Sequence, residues 1–231
     1  MKTKFLLFLL CLFSLNVMGQ DTIQRKKKQT TAAGQDVTLT NKASGTLNGH
    51  EWVDLGLSVK WATCNIGASS PSDYGDYYAW GETSTKSSYD GSNCFDCLGN
   101  SWITYKIDGQ TRITPSSGHD AARENWGSTW RMPTDAENDE LCTKCTWTWT
   151  SMNGHNGYTV TGPNGNSIFL PAAGYRISMN SANVGSGGTY WSSTLSSSYS
   201  NYARDLLFGS RSHNTNDSFR RFGRSIRPVT E

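Results

Sequence analysis

The sequence predicts an α+β fold in which short strands outnumber helices. Apolar and aromatic residues recur in runs of about four to seven, broken by Gly, Asn and Ser rather than repeating at a helical period. Gly162-Pro163-Asn164-Gly165-Asn166 separates Tyr158–Thr161 from Ser167–Leu170, and Asn-Gly supplies the positive φ that a tight hairpin needs. Helix signals appear in two places only, and few helices among many short strands give the α+β class.

The strand-like runs are Glu51–Leu55, Ser58–Thr63, Tyr77–Trp80, Tyr158–Thr161, Ser167–Leu170, Thr189–Ser192, Tyr202–Phe208 and Ser225–Val229. One helix is expected over His119–Asn125. The other starts at Thr134, whose hydroxyl can cap it while Glu137 reaches back, and runs to about Cys145. Trp147 and Trp149 alternate with threonines, which places both on one face of an edge strand, and that face is read as core. Trp61, Trp80, Trp130 and Trp191 are also assigned to the core, since each buries a large apolar area.

Residues 1–19 read as a signal peptide. Lys2 and Lys4 form a basic start, Phe5–Leu15 an apolar stretch, and cleavage falls before Gln20. The run is too short and interrupted to span a bilayer, so no membrane span is expected in the mature chain. Residues 20–47 are polar and almost free of aromatics and are read as a disordered linker. Residues 48–231 form the folded domain, about 180 residues, enough for one sizeable core. Removing Lys2 and Lys4 leaves 21 − 2 = 19 Lys+Arg against 19 Asp+Glu. A near-neutral chain argues against a nucleic-acid partner.

The last third holds the candidate surface. A strand-framed stretch rich in Ser, Asn, Tyr, Arg and Phe suits recognition rather than catalysis. Tyr199, Tyr202, Arg204, Arg211, His213, Phe219, Arg221 and Phe222 are the candidate ligand-binding residues. Aromatic rings supply rigid contact area and arginines bidentate hydrogen bonds. The expected partner is a protein or glycan at the cell surface.

Catalytic and metal chemistry find little footing. His50, His119, His155 and His213 are scattered, and no nucleophile elbow or phosphate loop occurs. Cys94-x-x-Cys97 and Cys142-x-x-Cys145 lie 44 residues (98–141) apart, beyond zinc-ribbon spacing. Cys142-Cys145 sits at a helix end, not at the start where thiols become reactive. Asp76 and Glu82 are carboxylates near a strand end with nothing to make them a pair. No metal, cofactor or catalytic residue is assigned.

A series of motifs resembles a known family. Trp52-Val53-Asp54-Leu55-Gly56-Leu57, Trp61 through Ala68, Tyr74 through Glu82, Trp130-Arg131-Met132-Pro133-Thr134, Leu170 through Arg176, Tyr190-Trp191-Ser192-Ser193 and Ser225 through Val229 are similar to the major paralogous domain first named in Fibrobacter succinogenes. That domain is widespread in secreted proteins of gut Bacteroidetes. The Trp-Arg-Met-Pro-Thr and Arg-Pro-Val pieces also resemble the formylglycine-generating, sulfatase-modifying superfamily. Both resemblances imply a C-type-lectin-like fold with paired terminal strands and two flanking helices. They imply adhesin-like or pilus-associated roles, so a structural subunit of a surface appendage is the alternative function. In some members the segment matching 190–229 is diversified by reverse transcription. The enzyme reading would need a cysteine pair near the C-terminus, and none follows Cys145. Family positions imply a Cys64–Cys145 disulfide, with Cys94–Cys97 as a second. The calcium-lectin signature is missing, since Gly162-Pro163-Asn164 lacks the carboxylate that the ion needs.

Overall fold

The computed structural model describes residues 44–94 and 111–231, together with the backbone of two short strands, β1 (Gln29–Thr30) and β2 (Asp36–Val37). These two pair antiparallel inside the span expected to be linker, within a separate compact unit, Met1–Asn41. The second unit, Lys42–Glu231, carries everything that follows.

Asn48 and Gly49 both take positive φ, 47° and 82°, and turn the chain between β3 (Ser44–Leu47) and β4 (His50–Asp54). Two successive left-handed residues match the twist of a hairpin, and Asn-Gly is the pair that adopts them most cheaply. The linker boundary at residue 47 is therefore corrected, because β3 already belongs to the sheet. Leu47 packs on the core, and its carbonyl accepts from the Trp130 indole at 3.0 Å.

β4 continues antiparallel into β5 (Lys60–Ala62), and the chain's last strand, β14 (Val229–Thr230), closes the far side. The sheet order is β14-β5-β4-β3, so the two ends of the unit share one sheet. The expected strand Ser225–Val229 is regular only at its end. Upstream, each residue pairs with a different neighbour: Tyr78 with Arg224, Tyr190 with Ser225, and Ile66 with Ile226. The segment threads between sheets instead of joining one. Tyr77–Trp80 is likewise a single bridge at Tyr78, not a strand.

Helix α1 (Ala121–Trp126) is capped by Asp120, which accepts from Ala122 and Arg123 N–H at 3.0 Å each. Helix α2 (Asp135–Lys144) forms the expected capping box. Glu137 N–H donates to the Thr134 hydroxyl at 3.3 Å, and Thr134 N–H donates to the Glu137 carboxylate at 2.7 Å. Arg131 grips the same carboxylate with two parallel bonds of 2.6 and 2.8 Å. Thr134→Ala should cost about 1 kcal/mol, a fall in Tm of roughly 2–4 °C. A thermal melt unchanged to within a degree would show that Arg131 alone holds the helix start.

Two antiparallel meanders complete the unit. β6 (Thr146–Met152), β7 (His155–Thr161) and β8 (Ser167–Pro171) form one. A small hairpin, β9 (Tyr175–Ile177) with β10 (Asn180–Ala182), leads to the other: β11 (Gly187–Leu195), β12 (Tyr202–Gly209) and β13 (Ser212–Phe219). Among the described residues the architecture is thus α+β, mostly antiparallel sheet with two short helices.

Two hydrophobic clusters sit on the two sides of β11–β12. Trp191 and Ala203 belong to one, with Trp80, Trp126 and Trp130. Tyr190, Leu206 and Phe208 belong to the other, with Trp61, Leu141 and Leu170. Trp61, Trp80, Trp130 and Trp191 are all buried, as assigned, and Trp147 and Trp149 pack against the second cluster. The implied Cys64–Cys145 disulfide is absent. Both are free thiols, and Cys64 packs against the first cluster while Cys145 packs against the second. Cys97 lies outside the described residues.

Candidate binding surface

The candidate surface is built on the β12–β13 hairpin. Its register places Tyr202 opposite Phe219, Arg204 opposite Asp217, and Phe208 opposite His213. Opposed residues of an antiparallel pair share a face, so these six project to one side of the sheet. Ser212–Phe219 is too polar to read as a strand from composition, and the span 213–218 has the make-up of a surface loop. Pairing with β12 makes it a strand.

At the open end of the hairpin the rings form a row. Tyr199 contacts Tyr202 (ring centroids 5.1 Å), Tyr202 contacts Phe219 (4.2 Å), Phe219 contacts Phe222 (5.6 Å), and Phe222 contacts Tyr175 (5.8 Å). Tyr175 comes from β9, held beside the row by reciprocal backbone bonds between Arg176 and Gly223. Ile177 lies on the same side of β9 as Tyr175, because side chains repeat every second residue. The row therefore runs from Tyr199, 58% exposed, to Ile177, 37% exposed. Backbone order fixes its outer end. The Ser196 hydroxyl accepts from Ser198 and Tyr199 N–H, and Tyr202 N–H donates to the Tyr199 carbonyl. The rings between are half-buried.

Arginines stand above and below the row. Arg221 lies over Phe219 at 4.1 Å and Phe222 at 5.0 Å, with no ion pair or hydrogen bond among the described residues. Arg224 is buried behind it, 4.7 Å from the Trp191 ring and 5.9 Å from Phe222, and faces Asp205 at 3.4 Å. That pair makes no hydrogen bond of ordinary geometry, and the Ser218 hydroxyl is the neutral group that acts on the Asp205 carboxyl. Burial pushes the Asp205 carboxyl up to about 6, with Arg224 pulling the other way. The same burial lowers the Arg224 pKa.

The eight candidate residues divide accordingly. Tyr199, Tyr202, Phe219, Arg221 and Phe222 come together in the row. Arg204 is a structural partner, bound to Asp135 of α2 at 2.9 Å, to Thr215 at 2.7 Å and to Asp217 at 3.5 Å. His213 stacks on Trp147 at 4.4 Å and 6° and joins the two meanders. Arg211 is exposed on the hairpin turn at the other end of β12, roughly 23 Å from Tyr202. Tyr175 and Ile177 were missed, since their strand forms only by pairing across a short turn, although the aromatic at 175 was visible. The remaining tail arginines are internal. Arg220, Arg224 and Arg227 are each under 5% exposed.

Other concavities are filled by their own ion pairs or lie elsewhere. A polar cleft of about 380 Å³ is lined by Arg112, Asp120, Arg131, Glu137 and Glu231. Arg131 holds both glutamates there, and Asp120 accepts from three backbone N–H groups, that of Met132 shared between its two oxygens. Glu82 is tied to Lys86 at 2.8 Å. Burial pushes the Cys142 and Cys145 thiols up to about 12 and about 11, which keeps both protonated and unreactive near neutral pH. Among the described residues no group of three or more His, Cys, Asp or Glu is placed to hold a metal ion, and no helix is long and apolar enough to cross a membrane. Comparison with family models, with curated proteins and with solved structures gives no match in any of the three.

Proposed function

We propose that this chain is an exported, non-enzymatic binding module of C-type-lectin-like fold, akin to the major paralogous domain, whose aromatic row engages a protein or glycan at the cell surface. The carrying observation is the row itself: five rings from β9, β12, β13 and their loops, in unbroken contact and ending in exposed Tyr199 and Ile177. Half-exposed rings on a rigid frame lose little conformational entropy on binding, which suits an anchor site. The shared sheet of the terminal strands and the two short helices support the fold part of the proposal.

The triple variant Tyr199→Ala, Tyr202→Ala, Phe219→Ala tests it on arrays of glycans and of extracellular proteins. Wild-type signal should fall at least about tenfold, a loss of about 1.4 kcal/mol. Tm should drop by no more than about 5 °C, because the row lies outside both core clusters. Wild-type signal that survives the triple substitution, or no signal on either array, rejects the proposal. Arg204 and His213 are left intact because their loss would act through folding.

A further inference from the structure

We infer that the row's partner is an acidic polypeptide segment, bound in extended form along β13 with a carboxylate on Arg221. This rests on the reading of the row as a binding surface and goes further by naming the partner's chemistry. The first observation is charge. The hairpin's own acids, Asp205 and Asp217, and Asp135 at the start of α2 each already face Arg204 or Arg224. Among the described residues Arg221 is left without an acidic partner, on a half-exposed side chain. Its guanidinium sits on the faces of Phe219 and Phe222, so stacking orders the group while its in-plane N–H edges stay open. A planar fork with free edges matches a carboxylate with two parallel bonds.

The second observation separates a peptide from a sugar. Stacking on pyranose rings calls for flat, aligned aromatic faces. Neighbouring rings tilt by 45°, 40° and 66° along Tyr199, Tyr202, Phe219 and Phe222, and only Phe222 with Tyr175, at the inner end, comes nearer to parallel at 26°. Tilted rings leave notches that fit branched or aromatic side chains instead. The third observation is the edge. Among the described residues β13 pairs with β12 on one side only and is the outer strand of its sheet. Its sequence, SHNTNDSF, holds no Lys, no Pro and no register shift, and its one acid, Asp217, is turned toward Arg204. An edge without Lys, Pro or a bulge next to an apolar row accepts an added strand, whose backbone supplies affinity and whose side chains supply specificity.

The test uses the full chain and a fluorescent random copolymer of glutamate and tyrosine, with alginate as a carboxylated polysaccharide comparator. Fluorescence anisotropy should show saturable copolymer binding, weaker at higher salt, and weak or absent alginate binding. Arg221→Gln should weaken copolymer binding at least tenfold, and Arg221→Lys should restore only part of it, since an ammonium keeps the charge but not the fork. The circular dichroism spectra of both variants should match wild type. Equal binding by Arg221→Gln and wild type, preference for alginate, or no binding of either polymer overturns the inference. Copolymer binding lost in Phe219→Ala but kept in Arg221→Gln overturns the acidic contact while leaving the row as a binding surface. Binding kept in both variants removes the row as well.

Discussion

Arg227→Met should remove on the order of 4 kcal/mol or more of stability, the largest loss expected from any single substitution in the C-terminal segment. The Arg227 side chain is 1% exposed and has no carboxylate partner. Its guanidinium instead donates to Asn65 Oδ1 at 2.8 Å, to the Ala62 carbonyl at 3.0 Å, to the Thr63 carbonyl, and to the Phe169 carbonyl at 3.0 Å. Those acceptors belong to β5, the loop after it, and β8, so one side chain joins two sheets. Methionine fills much of the volume but leaves four buried oxygens without donors. Each such orphan costs about 1–3 kcal/mol, partly offset by the relief of a buried charge. For a unit of this size the loss corresponds to a Tm shift of about 10 °C or more. Arg227→Lys should recover only part, since a single ammonium cannot span acceptors on both sheets. A methionine variant that melts within about 3 °C of wild type would show that the carbonyls find water instead.

The second large effect is on pH dependence and belongs to Asp205. Its carboxyl is fully buried, and burial lifts its pKa to about 6, above the unfolded range near 4. A raised pKa means that the folded chain holds the proton more tightly. The stability this group lends is complete below about pH 4 and is lost as pH rises through about 6, some 3 kcal/mol in all. Asp205→Asn cannot ionise. Its unfolding free energy should therefore gain on wild type by about 2 kcal/mol between pH 4 and pH 7, measured by urea titration at each pH. Glu137 acts in the opposite sense. Against the cost of its burial, the bonds from Arg131 and Thr134 hold its carboxyl below the usual range, so its contribution fades as pH falls. Because both chains carry Glu137, the difference curve isolates Asp205. Parallel curves for the two proteins would show that Asp205 ionises in the folded chain as it does in the unfolded one.

What the sequence made legible was local. Thr134 and Glu137 stand three residues apart, and their capping box formed as expected. The turn at 162–166 closed by a bond from Gly165 N–H to the Gly162 carbonyl, again within a few residues. The same Asn-Gly signal at 48–49 was passed over because Ser44–Leu47 is polar on one side of it. What failed depended on distance. Arg227 meets partners 58 to 165 positions away, and composition does not distinguish an arginine facing carbonyls from one facing solvent. Arg204 and His213 were chosen as recognition residues on side-chain type alone, yet Asp135 and Trp147 claim them. The polar strand β13 exists because β12 lies beside it, a fact no window of its own residues contains. The resemblance implied a bond between Cys64 and Cys145, but the sheets send them to different clusters.

Val229 lies opposite Trp61 of β5 while its N–H and carbonyl both bond to Arg131, and Ile226 and Ser225 each bridge to a further segment. A polypeptide threaded out residue by residue would thus carry Trp61 and Ala62 on an unsealed flank until the region around 225–230 arrives. Closing so long a loop is entropically expensive and slow. Vectorial emergence should leave the early portion soft and receptive to holding factors. Clipping or masking the stretch from 225 onward should then arrest maturation globally, well beyond the few side chains removed.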